Sequence, residues 1–523
     1  MSQIVSDWSS IVSESGVNAT AGKEQIIWTF GLPDDLRTDH KTRLAVENGV
    51  HIIGIQELEW GMIERTDGNF NFDELDFVIT TLYGKGLRLM LWLRPFFAYP
   101  NAINDFKIHN RINGGVLGMV NNFVDVNVPC SSTSFLPESS YERDINGVRI
   151  ADNYAFNKRG SFSYADAGAV NRWLNFVARV VDFCNNHPLK SQVMEGIGIV
   201  DGTYAETGFI TQEGYMRADA GYADVTIAGY RSYLNSRYGT IQALNTAWGT
   251  SYSVFDNINK GNMPKPNLIV NPDATDVDYG VSAGARDLFR YRVSLYSSLY
   301  NRFCAIVSNP STQIAGLSSN TGFLKYCYLT ENFTRGQGLS WGVSAFKTMY
   351  EPFNVFLSSV TAGNGASHAG SFLGDVILRS ATVRGTFRER DFGMEWDGDP
   401  VNAEAAPSTL FLANKKWGSR LCVIALMGDE NRWRDSVLGT MVDGSKEYRT
   451  FAKDIKYISD NFCGGSPVFP TPTQVFTYNE SQTLQNPWNP NNAKSDWINA
   501  SNILSNSAGN TNGFPVIQCI ANL

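Results

Sequence analysis

Two glutamates stand where the chain could do carboxylate chemistry. Glu206 lies in EGIGIVDGTYAETG, just past an apolar run, and Glu395 lies in RDFGMEWDGD at the end of another. Strand ends that feed a core are otherwise apolar, and in an α/β barrel the reacting groups sit where each strand emerges into its loop. Two carboxyl groups, one protonated and one ionised, are the tools for cleaving a glycosidic bond through an oxocarbenium-like state. Either residue alone reads equally as a solvated or salt-bridged glutamate. Glu57 and Glu59 have the same local look and rank lower.

Other chemistries have weaker claims. The five histidines, His40, His51, His109, His187 and His368, are scattered, and no H-E-x-x-H or paired-cysteine spacing occurs, so no metal site and no cofactor are expected. Gly196-Ile-Gly198-Ile-Val200-Asp201-Gly202 approaches a dinucleotide fingerprint, but its third glycine is one place late. Gly280-Val-Ser282-Ala-Gly284 satisfies G-x-S-x-G, yet the polar NPDATDVDY before it cannot be the buried strand of a nucleophile elbow. Ser282 is expected to be a loop serine opening a helix.

The elements that would have to position the glutamates are legible in the pattern. Short apolar runs alternate with helical ones through the first 460 or so residues, the form of a parallel sheet with crossover helices. Eight strands are predicted: 25–30, 51–56, 88–93, 194–200, 313–319, 354–359, 391–396 and 421–427. Leu75, Val78, Ile79 and Leu82 fall at helical spacing, with Gly84 as the stop. Val170, Trp173, Leu174, Val177, Val180, Val181 and Cys184 do the same ahead of the fourth strand. Helices are also expected over 222–248, with Gly249 as a C-terminal cap, and over 285–306. The fold class is therefore α/β, a (β/α)8 barrel over 1–463 with insertions 100–165 and 207–285 over its carboxyl-end face. Residues 464–523 form a C-terminal appendage packed on the barrel.

Composition bounds the rest. With 43% hydrophobic and 18% charged residues the chain has ample material for a core. Its 51 acidic against 43 basic residues, net charge −8, argue against a nucleic-acid partner. No apolar run reaches the roughly 18 to 20 residues that span a bilayer, so no membrane partner is expected. The N-terminal MSQIVSDWSS has no basic stretch leading into an apolar core, which leaves a cytoplasmic protein and a secreted one with its signal removed equally open. Seven cysteines without close pairs read as buried thiols.

The stretch from Arg43 to Tyr99, with Trp60, Glu64, Gly68-x-Phe70-x-Phe72, Leu93-Arg94-Pro95 and Tyr99 itself, resembles the opening of the family 42 and family 35 β-galactosidases. Tyr233-Leu234 and RYGTIQALNTAWGTSYS from Arg237 to Ser253 are similar to the family 42 helix that follows the acid/base glutamate. The resemblance implies clan A of the glycoside hydrolases, retaining barrels with the acid/base on strand four and the nucleophile on strand seven. Carried over, Glu206 matches the acid/base and Glu395 the nucleophile. Two positions depart from the clan: Ala205 stands where an asparagine precedes the acid/base, and Gly54 where a strand-two arginine supports the nucleophile. Arg94 or Asn320 would have to fill those roles. Trp60, Trp396 and Trp433, with Tyr99 and Tyr350, are expected to stack on sugar rings. The expected partner is a carbohydrate substrate, and the alternative is a barrel that binds sugar without cutting it.

Overall fold

The computed structural model describes residues 26–30, 36, 46, 49–50, 52–55, 58, 60–93, 96–98, 106–112, 115–119, 122–128, 136–149, 151–152, 159–200, 221–265, 267–270, 275–278, 281–318, 326–332, 355–360, 391–397, 421–425, 474–478 and 517–521. Eight of its strands are parallel and close into a barrel in chain order. They are β1 (Ile26–Phe30), β2 (Ile52–Ile55), β3 (Arg88–Leu93), β4 (Met194–Val200), β5 (Tyr326–Asn332), β6 (Val355–Val360), β7 (Asp391–Asp397) and β8 (Leu421–Ala425).

Seven of the eight coincide with the predicted strands to within two residues at each end. The fifth is a correction. Residues 313–319 follow a short 3-10 turn, Pro310–Thr312, in which the Asn309 side chain accepts from the Ser311 N–H and proline starts the turn. Gly316 at φ +85° then turns the chain, and Ile314 and Leu317 are not fully buried. The strand is the next segment, YCYLTEN, paired to β4 and β6.

The pairing register fixes which residues share a face, because partners across parallel strands point the same way and neighbours along a strand alternate. Ile53, Ile55, Leu89, Leu91, Leu93, Ile197 and Ile199 fall on one face, a continuous aliphatic surface suited to a helical layer. Gly54, Met90, Trp92, Gly196 and Gly198 fall on the other. This second face lines the lumen, where large and small residues alternate to fill a narrow interior. Trp92 is 1% exposed and its ring occupies the hollow over Gly54: a Cβ there would overlap Cζ3 and come within 2.8 Å of Cη2.

The helices follow the predicted spacing. They are α1 (Asp73–Gly84), α2 (Ala167–Asn186), α3 (Asp224–Tyr238), α4 (Ile241–Trp248) and α5 (Ala283–Ser308). The left-handed residue after α1 is Gly86 rather than Gly84, and Leu87 N–H closes back on the Leu82 carbonyl. Asp166 caps α2 by accepting from the Ala169 N–H at 3.0 Å. Gly249 ends α4 in the left-handed region as its position predicts. α2 and α5 pack through Trp173 and Phe303, ring centroids 6.0 Å apart.

The first insertion divides. Phe96–Ala98, Arg159–Ser161 and Ala151–Asp152 form a small sheet directly beyond the carboxyl end of β3. The hairpin of Phe106–Arg111 with Phe123–Val128 instead packs on α1, where Glu74 takes the His109 ring and backbone N–H and Asp73 takes the Arg111 N–H. Gly118 in its connection lies beside Pro188 and Leu189, just ahead of β4. That places this hairpin along the barrel's flank, which corrects the expectation that all of 100–165 covers the mouth. The second insertion has its own small core of Tyr222, Ile227, Tyr230, Leu234, Leu244, Ile258, Leu288 and Tyr291. The buried Glu142 ties the two insertions together, accepting from the Ala223 N–H at 2.9 Å and the Thr226 hydroxyl at 2.8 Å.

Candidate active site at the barrel lumen

Glu395 sits on β7 two residues from its end, paired with Ser359 of β6 and Val423 of β8. Following the register round the barrel shows what it faces. In one direction Trp92 leads through Gly198, Tyr328 and Val355 to Asp391. In the other, Met90 leads through Gly54, Thr29 and Ala425 to Asp397. Since Met90 precedes Trp92 by two residues, the two circuits disagree by eight, which is the shear of an eight-stranded α/β barrel. Half of that offset lifts Asp391 to Glu395. Glu395 and Trp92 therefore occupy the same layer on opposite strands of the lumen, with Thr29 and Thr330 the other two members. The layer of four drawn from alternate strands is the usual filling of this kind of barrel.

Of the sequence-derived site residues that fall on described strands, Glu395 shares by register the face of Trp92 and Gly54. Trp396 takes the alternate face of β7, the side of Phe392 and Met394. Trp60 is a correction. It is 1% exposed in a one-turn helix, Trp60–Ile63; its ring stacks on Phe176 at 5.8 Å, and its N–H donates to Glu64 at 2.6 Å. An indole packed this way belongs to the core between β2 and α2 and offers no open platform to a sugar. Glu206, Arg94, Tyr99, Asn320, Tyr350 and Trp433 lie outside the described residues, as does Ala205.

Ser282 behaves as the sequence predicts. Its hydroxyl accepts from the Ala285 N–H at 3.0 Å and caps α5, so the G-x-S-x-G string marks a helix start. Among the described residues, Glu142 and His187 have displaced pKa values and lie away from the lumen. Burial pushes Glu142 up against the pull of its backbone donors, and burial then the Arg111 charge bring His187 down to about 4. Both are structural: His187 Nε2 faces Asp76 at 2.8 Å while its Nδ1 accepts from the Leu189 N–H at 3.1 Å. Among the described residues no three His, Cys, Asp or Glu side chains group to hold a metal ion, and no helix is long and apolar enough to cross a membrane.

Trp92 is the lumen residue that sequence reasoning missed. The signal available for it was the run of glycines, Gly54, Gly196 and Gly198, on strands that also carry large residues: a barrel face with that much space needs one large side chain to fill it.

No family model matches the chain, and no curated protein matches it in sequence. Solved structures do match. The catalytic domain of a β-amylase from Paenibacillus polymyxa superposes with a TM-score of 0.54 at 13% identity, over 83% of this chain and 99% of that one. A cold-adapted β-galactosidase from Rahnella sp. R3 gives 0.59 at 12% identity, over 97% and 66%. A catalytic mutant of a family 42 β-galactosidase from G. stearothermophilus gives 0.57 at 12% identity, over 96% and 66%. The fold is that of the glycosidase barrels. This chain thus spans about two thirds of the length of those two β-galactosidases, and its likeness to them, expected from Arg43 to Tyr99 and from Tyr233 to Ser253, is one of fold.

Proposed function

We propose that the protein is a retaining β-glycoside hydrolase, β-galactosidase-like, acting on an oligo- or polysaccharide with Glu395 as nucleophile and Glu206 as acid/base. The observation that carries this reading is the placement of Glu395 on the inner face of β7, in a complete layer of a barrel whose relatives in fold include β-galactosidases. Glu206 follows the last residue of β4 by six positions in the sequence.

In this mechanism Glu206 gives its proton to the leaving oxygen while the Glu395 carboxylate attacks the anomeric carbon. Glu206 then takes a proton from water, which displaces Glu395 and restores the original configuration. Attack by the carboxylate itself requires the two carboxyl groups about 5 to 5.5 Å apart, too close for a water between base and sugar. Glu206 has the higher pKa of the pair, since the ionised Glu395 nearby disfavours a second negative charge, and activity follows a bell-shaped pH curve. Glu395→Gln removes that charge and with it turnover, and is expected to lower the pKa of Glu206 as read directly by NMR titration of its carboxyl group.

A barrel that binds sugar without cutting it is the second reading, favoured by Gly54, whose hollow the Trp92 ring fills. Hydrolysis of a panel of aryl β-glycosides and of plant and algal polysaccharides separates the two. Turnover of at least one supports the hydrolase; turnover of none, with measurable binding of one, supports recognition alone.

A further inference from the structure

We infer that the tip of the flanking hairpin, residues 112–124, is the surface on which a second copy of this chain docks, giving a two-fold dimer joined through the flank of the barrel. Among the described residues ten large hydrophobic side chains are strongly exposed, and five of them, Ile112, Val116, Leu117, Met119 and Val124, fall in this one stretch, between 39 and 59% exposed. Scattered singly they would need no explanation; gathered here they leave on the order of 400 Å² of aliphatic surface, a size of patch that on a monomer is often an interaction site. The tip is held in shape. The Met119 N–H closes on the Val116 carbonyl at 3.2 Å around Gly118 at φ +88°, the Gly115 N–H closes on the Ile112 carbonyl at 2.8 Å, and Arg111 donates to the Val116 carbonyl. Gly118 is anchored through its N–H to Asp76 of α1 at 3.2 Å, so the backbone faces the barrel and the apolar side chains on either side of it face solvent. A surface ordered in advance loses little freedom when it is covered.

Charge and side-chain chemistry choose the occupant. INGGVLGMVNNFV, from Ile112 to Val124, carries no charged residue in a chain of net charge −8. The cations beside it are engaged, Arg111 with Asp76 and Lys190 with the Asn185 carbonyl, and the exposed charge at its neck is Asp125. An anionic membrane surface or an acidic partner therefore finds no cation to meet. Nor does the patch offer a sugar an open ring, since Phe123 lies edge-on to Phe77 with the Arg111 guanidinium over it. A second copy fits on both counts. It brings the same aliphatic side chains, and it lets two like-charged molecules touch where neither carries charge. A patch that complements itself is what a two-fold contact requires. Paired, the two patches cover about 800 Å², roughly half of a standard interface, so the association is weak and depends on concentration.

Sedimentation velocity of the full chain between about 1 and 200 µM, where a contact of this size dissociates, tests the assignment without any measurement of turnover. The wild type should pass from the monomer mass to twice that mass as concentration rises. Val116→Asp combined with Met119→Asp alters exposed positions, so Tm should stay that of the wild type, while dimerisation weakens by roughly tenfold or more because like charges then face each other across the two-fold axis. Where that pair does not fold, Val116→Ser with Met119→Ser should weaken the dimer in the same direction. Flotation with phosphatidylcholine vesicles reports the other occupant. A wild type that stays monomeric over the whole range, a dimer undiminished in the folded variants, or a monomer that floats with the vesicles overturns the assignment.

Discussion

Glu395 reads in the sequence as one glutamate among 51 acidic residues, and what singles it out is the end of a strand whose alternate positions are Phe392 and Met394. The register turns that hint into a position opposite Trp92. If the two carboxyl groups work as a nucleophile and an acid/base, their substitutions differ. Glu395→Ala should abolish turnover on every substrate. Glu206→Ala should spare the first step for aryl glycosides with good leaving groups and slow the second, so that added azide restores rate with a β-azide product; failure of azide to rescue would reassign Glu206. Gly54 gives a third expectation. A methyl group there meets the Trp92 ring, so Gly54→Ala should cost about 1 to 3 kcal/mol in chemical denaturation. An unchanged stability would mean that the ring does not fill that hollow. Gly54 was legible as a departure from a pattern, but its partner was not. Trp92 lies on the next strand, far along the chain, and only the pairing of Gly54 with Met90 brings them together.

Among the elements, most were legible because their signals are local. The helical spacing in α1, α2 and α5 and the glycine ending α4 each specify their structure within a few residues. The fifth strand was not, because Gln313–Ser319 and Tyr326–Asn332 are both short and mixed, and closure of the barrel selects between them. Ser282 tests the local reading. Ser282→Ala should destabilise the protein by about 1 kcal/mol by removing the cap of α5, with kcat unchanged; a large loss of kcat would return the serine to the active site. His187 tests the packing of the flanking hairpin and α1. Its buried ring donates from Nε2 to Asp76, which also pairs with Arg111 of the hairpin. Its pKa is about 4 in the fold against 6.5 ordinarily, so the unfolded chain binds the proton first as pH falls. The stabilisation from keeping it neutral is complete above pH 6.5 and is lost between there and 4, amounting to about 3 kcal/mol. Denaturation at pH 7 and pH 4 should show His187→Gln losing less stability than the wild type over that interval; equal losses would contradict the assignment.

At the scale of the whole molecule, Trp60, Glu64, Phe72, Tyr238 and Trp248, from the two stretches that carry the family resemblance, are framework. Trp60 donates to Glu64, whose other oxygen takes the Gly68 N–H at 2.7 Å and Arg172 at 3.2 Å, while Phe72 stacks on Phe183. Tyr238 and Trp248, in the second stretch, both donate to the buried Asp287. These residues specify how a loop and a helical excursion attach to the barrel. That is why the sequence carried the fold while leaving the sugar contacts unread: Trp60 reads as a platform because its motif is conspicuous, and it is conspicuous because it packs. The central claim, that Glu395 attacks the anomeric carbon itself, is a statement about stereochemistry, and proton NMR of the first-formed product tests it most directly. With the aryl β-glycoside that the wild-type protein cleaves fastest, the account predicts that the β-anomer of the free sugar appears first and mutarotates afterwards. The α-anomer appearing first would place a water between carboxylate and sugar and contradict it.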